Sequence, residues 1–123
     1  MSRAMIGVAG ALGFTAVAFG AFGAHGLRAR LSPAMLEIYR TGALYHLVHA
    51  VAALAVALAA DRLRRAPLIL TFFTLGIVIF SGSLYALSVT GQTKLGAVTP
   101  LGGLCLLVAW AMLIAEAFAA GRA

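Results

Sequence analysis

Hydrophobic residues fill four long stretches of this chain, and the charged residues lie almost entirely between them. Aspartate, glutamate, lysine and arginine are absent from residues 4–24, 41–60, 68–90 and 95–115. Helices of these lengths measure about 30 Å, which matches the hydrocarbon core of a bilayer. Backbone polar groups in lipid must be bonded internally, and the lengths suit helices rather than barrel strands of about ten residues. The pattern therefore predicts four transmembrane helices.

The segments between these stretches predict how the helices are arranged. Residues 61–67 and 91–94 form short connections, so helices two, three and four are expected to be antiparallel neighbours. The connection over residues 25–40 is longer. Within it, Ser32 and Pro33 are typical of a helix N-cap followed by proline at the first helical position. We therefore expect helix two to begin near Pro33, with its first two turns at the membrane interface, in an all-α, four-helix antiparallel bundle.

The composition agrees with a membrane protein and excludes several other classes. The chain has 123 residues, of which 63% are hydrophobic and 10% are charged, whereas an average soluble domain has roughly 25% charged residues. A soluble globular domain, a disordered chain and a nucleic-acid-binding protein are excluded on this ground. Cys105 is the single cysteine, which excludes an intramolecular disulfide scaffold. The apolar run over residues 4–24 is longer than that of a signal peptide, so we expect one transmembrane domain over residues 1–123, with this run retained.

The basic residues predict the orientation of the bundle. An even number of spans places both termini and the 61–67 loop on one side, called here the termini side, and the other two connections on the far side. The net charge is +6, and the densest basic cluster, residues 62–65, lies on the termini side. Such a cluster in a short loop favours a cytoplasmic location of the termini in a bacterial inner membrane, and it is expected to contact lipid headgroups. Trp110, near the termini side, is expected either to anchor at the interface or to pack.

Polar side chains inside the spans concentrate toward the far side, within about 13 Å of that surface by helix rise. They are expensive in lipid and are expected to face the bundle interior as one shared layer. His46 shares a helix face with His49, and so does Tyr45. The dipeptide Thr99-Pro100 predicts a kink in helix four. The eight candidate ligand-binding residues are His25, Tyr45, His46, His49, Ser81, Ser83, Tyr85 and Thr99.

Each of these signals has two interpretations. The serine, threonine and tyrosine hydroxyls either hold helices together or bind a ligand, and the two deep histidines are either structural or titratable functional groups. Small residues recur at four-residue spacing, which indicates either packing within the bundle or a seam between copies of the chain; they are Ala16, Gly20 and Ala24, and Gly82 and Ala86. No catalytic constellation or cofactor is predicted. No metal site is predicted either, because His46 and His49 would need further ligands and only His25 and Cys105 are candidates.

Four motifs follow one another along the chain: FGAFGAHGL at residues 19–27, YHLVHA at 45–50, FSGSLY at 80–85 and TPLGG at 99–103. In these motifs the chain resembles the YgdD-type family of small bacterial membrane proteins, a domain of unknown function with relatives in eukaryotes. The resemblance covers nearly the whole chain. It implies a four-helix integral membrane protein and carries no activity, substrate or catalytic residue.

These observations lead to one functional expectation and two alternatives. We expect a small integral inner-membrane protein without enzymatic activity, with an envelope-support or partner-subunit role. The first alternative is a binding or transport protein that uses the polar layer around His46 and His49 for a small molecule, a proton or a lipid. The second is a metal or redox membrane protein. The expected partners are the lipid bilayer and either a second copy or another membrane protein, and no nucleic acid.

Overall fold

Four long helices make up the computed structural model, which describes residues 2–120 and the side chains of residues 3–119. Each helix is long and apolar enough to cross a membrane, so the predicted all-α, four-helix membrane fold is confirmed. Helix α1 is Ser2–Phe22 and continues as a π-helical turn, Gly23–Leu27, and α2 is Pro33–Leu58. Helix α3 is Ala66–Thr90 and contains a π-helical segment at Ile77–Ser81. Helix α4 is Thr99–Ala120 and follows a 3₁₀ turn at Thr93–Ala97.

Local chemistry explains where the helices begin and end. The Ser32 hydroxyl accepts a hydrogen bond from the Met35 N–H at 3.2 Å, and Pro33 is the first residue of α2, as predicted. Helix α3 ends at Gly91, which has a φ of 73° and bonds its N–H to the Leu87 carbonyl. The predicted kink at Pro100 is wrong. Pro100 is the second residue of α4, where its missing N–H breaks no intrahelical bond.

Helices α2 and α3 form the centre of the bundle, and α1 and α4 lie at its edges. Helix α1 packs on α2, and α4 packs on α3. Within an 18-residue apolar stretch of each helix, 39% of the residues are buried in α2 and 44% in α3. The corresponding fractions are 22% in α1 and 17% in α4. The outer faces carry exposed apolar side chains such as Phe14 and Phe118. A lipid environment accommodates these side chains at no hydrophobic cost, which agrees with four membrane spans.

The helices approach one another closely at glycines. A Cβ added to Gly42 on α2 would lie 3.3 Å from the Ser81 carbonyl oxygen of α3, and Gly102 on α4 lies against the backbone of Phe80 on α3. Such contacts supply the packing on which helix association in lipid depends. Of the small residues noted in the sequence, Ala16 is buried. Within the described structure, a Cβ at Gly20 or Gly82 would meet no heavy atom within 4 Å, so these two positions are not the points of close approach.

A buried carboxylate on α4 holds the loop that precedes α3. The Glu116 side chain is 7% exposed, and its two oxygens accept hydrogen bonds from the backbone N–H groups of Arg64 at 3.1 Å and Arg65 at 2.7 Å. Arg65 is the N-cap residue of α3, so the negative charge also lies near the positive end of that helix. The sequence analysis did not assign this role to Glu116.

Replacing Gly102 by alanine is expected to destabilise the bundle by about 1–3 kcal/mol, because the added methyl group would lie 2.7 Å from the Phe80 Cα and only backbone movement could relieve the overlap. Thermal unfolding of the purified protein in detergent measures this change. Gly103→Ala is the matched control, since its methyl group would lie at an ordinary 3.7 Å from the Phe80 ring. Equal loss of stability in both variants would contradict the close contact between α3 and α4.

Candidate functional site

The polar side chains of the spans form separate groups around α2, whereas the sequence analysis predicted one shared layer. His46 and His49 lie near the middle of α2, because this helix already begins at Pro33. One face of its first two turns also packs against the bundle. Tyr39, for example, is 2% exposed and its ring lies 4.9 Å from the ring of Tyr85. His46 faces α1 and α3, whereas His49 faces α4, so the two imidazoles belong to different groups.

The first group, called here the His46 cluster, joins three helices and consists of Thr15, Phe19, Tyr39, His46 and Tyr85. Nδ1 of His46 lies 2.8 Å from the Tyr85 hydroxyl on α3, and Nε2 lies 3.1 Å from the Thr15 hydroxyl on α1. The Thr15 hydroxyl also lies 2.9 Å from the Ala11 carbonyl oxygen. Helix α2 is thereby bonded to both of its neighbours through one side chain.

The donors and acceptors of this cluster determine which nitrogen of His46 carries the proton. The Thr15 hydroxyl lies 2.9 and 3.0 Å from the Ala11 and Leu12 carbonyl oxygens of its own helix, so we assign its proton to the backbone and its oxygen as the acceptor of a His46 N–H. His46 is therefore protonated at Nε2, and Nδ1 accepts the proton of the Tyr85 hydroxyl. The result is a chain of hydrogen bonds that runs from Tyr85 through His46 and Thr15 to the α1 backbone.

Aromatic rings pack within the cluster. The Phe19 ring stacks on the Tyr85 ring with centroids 4.5 Å apart and an interplanar angle of 3°. The Tyr39 hydroxyl donates to the Phe19 carbonyl oxygen at 2.5 Å. Gly23 leaves room for the Tyr39 ring, because a Cβ there would lie 2.7 Å from a ring carbon. His46 and Tyr85 are 4% and 8% exposed, so these two side chains are buried, whereas Thr15 and Phe19 are exposed on the outer side of α1.

The second group, called here the His49 cluster, joins α2, α3 and α4 and consists of Tyr45, His49, Phe73, Phe80 and Trp110. Nδ1 of His49 lies 2.8 Å from the Tyr45 carbonyl oxygen, and the Trp110 indole N–H donates to Nε2 at 3.1 Å. An indole only donates and a carbonyl only accepts, so His49 is protonated at Nδ1, the opposite tautomer to His46. Trp110 lies in the middle of α4, edge-on to Phe73 at 5.2 Å, so it packs in the bundle and is not an interfacial anchor.

A groove opens beside the His49 cluster on the outer surface of the bundle. It has a volume of about 470 Å³, and Tyr45, Phe80 and Trp110 line it together with apolar residues of α4. Tyr45 and Trp110 are each 41% exposed. The Tyr45 ring packs against the rings of both His49 and Phe80. The groove therefore presents flat aromatic surfaces to the lipid, next to a histidine whose two nitrogens are already bonded.

The remaining predicted residues have separate positions. The Ser81 hydroxyl donates to the Gly42 carbonyl oxygen at 2.7 Å and links α3 to α2. The Ser83 and Thr99 hydroxyls lie 2.6 Å apart and link α3 to α4. His25 is exposed on the π-helical turn at the end of α1, and within the described part of the chain it belongs to neither cluster.

Several members of the two clusters were missed by the sequence analysis. Thr15 is the one hydroxyl-bearing residue of the first apolar stretch, residues 4–24. A single hydroxyl in an apolar span could have indicated a contact with another helix. Tyr39 was placed at the interface, and Phe19 has no polar atom in its side chain to mark it. Among the described residues, no three histidine, cysteine, aspartate or glutamate side chains gather as a metal ion would require.

Nitrogen NMR of the histidine rings is expected to show opposite tautomers, with the proton on Nε2 in His46 and on Nδ1 in His49. Protein labelled with ¹⁵N in histidine, purified in detergent near neutral pH, is suited to this measurement. Tyr85→Phe removes the donor to His46 and is expected to release only that ring to exchange between tautomers. His25, which is exposed, serves as the internal control for a ring free to exchange. The same tautomer in His46 and His49 would contradict the assigned hydrogen bonds.

Comparisons with known proteins place these features in a family. Residues 19–103 match the family described as "Protein of unknown function (DUF423)". The UPF0382 membrane protein YwdK of Bacillus subtilis is 46% identical over 105 residues, which cover 83% of this chain and 85% of that protein. A UPF0382 membrane protein of Haemophilus influenzae is 42% identical over 107 residues, which cover 86% of each chain. No solved structure matches.

The resemblance proposed from the four motifs is confirmed by a further relative. The UPF0382 inner membrane protein YgdD of Escherichia coli is 38% identical over 120 residues, which cover 94% of this chain and 90% of that protein. The names of all three relatives describe membrane proteins, in agreement with the four apolar helices. The chain therefore belongs to the DUF423 family of small multi-pass membrane proteins, whose function is unknown.

Proposed function

We propose that the protein is a non-enzymatic inner-membrane protein that serves as a structural or partner subunit of the bacterial envelope, with its termini in the cytoplasm. One observation carries the proposal: the polar groups inside the bundle are used to hold its helices together. Among the described residues, every buried side-chain nitrogen and oxygen has a hydrogen-bond partner. Transport needs polar groups that exchange partners along a path, and a buried histidine with both nitrogens bonded, such as His46, argues against this role.

The outer surface supports the partner role. Helices α1 and α4 each contact mainly one neighbour and leave most of their surface outside the bundle. On the outer face of α1, Gly7 and Gly10 are exposed. A Cβ at either position would meet no heavy atom of the described chain within 4 Å. Small residues on a lipid-facing surface allow the backbone of another helix to come close.

Replacing His46 by phenylalanine is expected to lower thermal stability and to leave ion flux unchanged. The change removes the bonds to Thr15 and Tyr85, and interhelical hydrogen bonds contribute about 0.6 kcal/mol on average, up to about 1.7 kcal/mol. Unfolding in detergent measures the first effect, and a pH-sensitive dye in proteoliposomes measures proton flux. His25→Phe is the control, because that ring is exposed. A proton flux above that of empty liposomes that disappears in His46→Phe would overturn the proposal.

The same protein tests the partner role. After mild solubilisation of bacterial membranes, native mass spectrometry is expected to find the 12.6 kDa chain in a larger assembly. Gly10→Leu is expected to reduce this assembly, since it places a bulky side chain on the outer face of α1. Gly82→Leu is the matched control, because Gly82 also lacks neighbours but lies on α3. A chain that is entirely monomeric in such extracts would contradict the partner role.

A second candidate function rests on the groove beside the His49 cluster. Its aromatic lining and its opening to the lipid favour the binding of a flat, largely apolar ring compound such as a quinone. Trp110 is the only tryptophan of the chain and lines this groove, so its fluorescence reports occupancy. A short-chain quinone is expected to quench it with saturation, and Leu104→Phe, which fills part of the groove from α4 without adding a second tryptophan, is expected to reduce the saturable part. Purely linear quenching, typical of partition into lipid, would exclude this second function.

A further inference from the structure

A second recess lies on the termini side, between the loop that precedes α3 and the last turns of α4. It has a volume of about 340 Å³. Arg64 and Arg65 line one wall, and apolar side chains of α4, among them Met112 and Phe118, line the other. Phe118 is 75% exposed, so the apolar wall continues into the lipid-facing surface of α4. Glu116 also lines the recess, with both carboxylate oxygens bonded to backbone N–H groups of the loop. The recess therefore combines two cations, one carboxylate and a hydrocarbon surface at the end of the transmembrane bundle.

Glu116 sets the position of the two arginines. Its carboxylate accepts hydrogen bonds from the backbone N–H groups of both residues, so the loop is held against α4 while the two arginine side chains remain exposed. These N–H groups are thereby occupied, and an anion in the recess would be held by the guanidinium groups and not by the N-terminus of α3. Glu116 is a positioning residue for them.

We propose that this recess binds one anionic glycerophospholipid, with its phosphate between Arg64 and Arg65 and its first acyl methylenes against Met112 and Phe118. Guanidinium groups pair with phosphate oxygens in bidentate geometry, and basic pockets at the membrane surface bind anionic headgroups in this way. A free phosphate ion would use the cations but leave the apolar wall uncovered. The shape of the recess therefore favours a lipid. The proposal is independent of whether the protein is a partner subunit.

Native mass spectrometry of the purified full chain with phosphatidylglycerol or phosphatidylcholine tests this site. One phosphatidylglycerol is expected to remain bound, and each arginine is expected to contribute about fivefold in affinity. The double variant Arg64→Gln/Arg65→Gln is expected to lose this lipid. Arg28→Gln/Arg30→Gln removes the same charge from the far side and is expected to keep it. Equal losses in the two double variants, or equal retention of the two lipids by the unmodified chain, would overturn the proposal.

Glu116→Gln separates a built site from simple charge attraction, because the two predict opposite changes. The variant makes the chain more positive, so charge alone would strengthen the binding of phosphatidylglycerol. The two loop N–H groups bond to separate carboxylate oxygens, and in glutamine one of these atoms becomes an NH2 donor that cannot accept. A positioning role therefore predicts weaker binding, by several-fold. Stronger binding in this variant would overturn the proposed arrangement.

Soluble glycerol 3-phosphate distinguishes a lipid site from a phosphate site. If the apolar wall takes part, a large excess of this compound is expected to leave phosphatidylglycerol bound to the unmodified chain. Complete displacement at concentrations comparable to that of the lipid would show that the phosphate alone is recognised, and would overturn the assignment to a lipid. This arm uses only the unmodified protein, so it holds even if an arginine variant does not fold.

Discussion

The rest of this structure depends on one constraint: each of the two imidazoles on α2 must find hydrogen-bond partners in a medium without water. Lipid offers no hydrogen bonds to a buried polar group, so each ring nitrogen must find its partner within the protein. His46 finds its partners on α1 and α3, and His49 finds one on its own helix and one on α4. One helix is thereby bonded through its side chains to all three others, and the close glycine contacts bring the backbones near enough for these bonds to form.

This constraint also separates the interior of the protein from its surfaces. Groups that bond helices together are unavailable for a ligand, and the side chains of His46 and Tyr85 are also buried. Two surface features remain with unused chemistry: the aromatic groove beside Trp110 and the basic recess formed by Arg64 and Arg65. A small membrane protein built in this way interacts with its surroundings through its outer faces. This agrees with a structural or partner role in a family whose function is unknown.

Much of the fold could be predicted from the sequence because it depends on local properties. Apolar length determined the four spans, and Ser32 with Pro33 determined the start of α2. All the candidate residues but His25 take part in contacts between helices or line the groove, and their binding of a ligand stays a prediction. Their grouping was wrong for a physical reason. The spacing of His46 and His49 places them near one another on α2 but does not specify their partners, and His46 bonds to α1 and α3 whereas His49 bonds to α4.

By itself the sequence determined that this is a four-helix membrane protein with polar side chains inside its spans, because hydropathy, length and capping act within a single segment. Only the tertiary structure decided which helix each polar side chain faces, since this depends on the rotation of every helix about its axis and on its register against its neighbours. A rotation of α2 about its axis would turn both His46 and His49 away from their present partners. Their opposite tautomers therefore follow from the packing of four helices and from no motif in the chain.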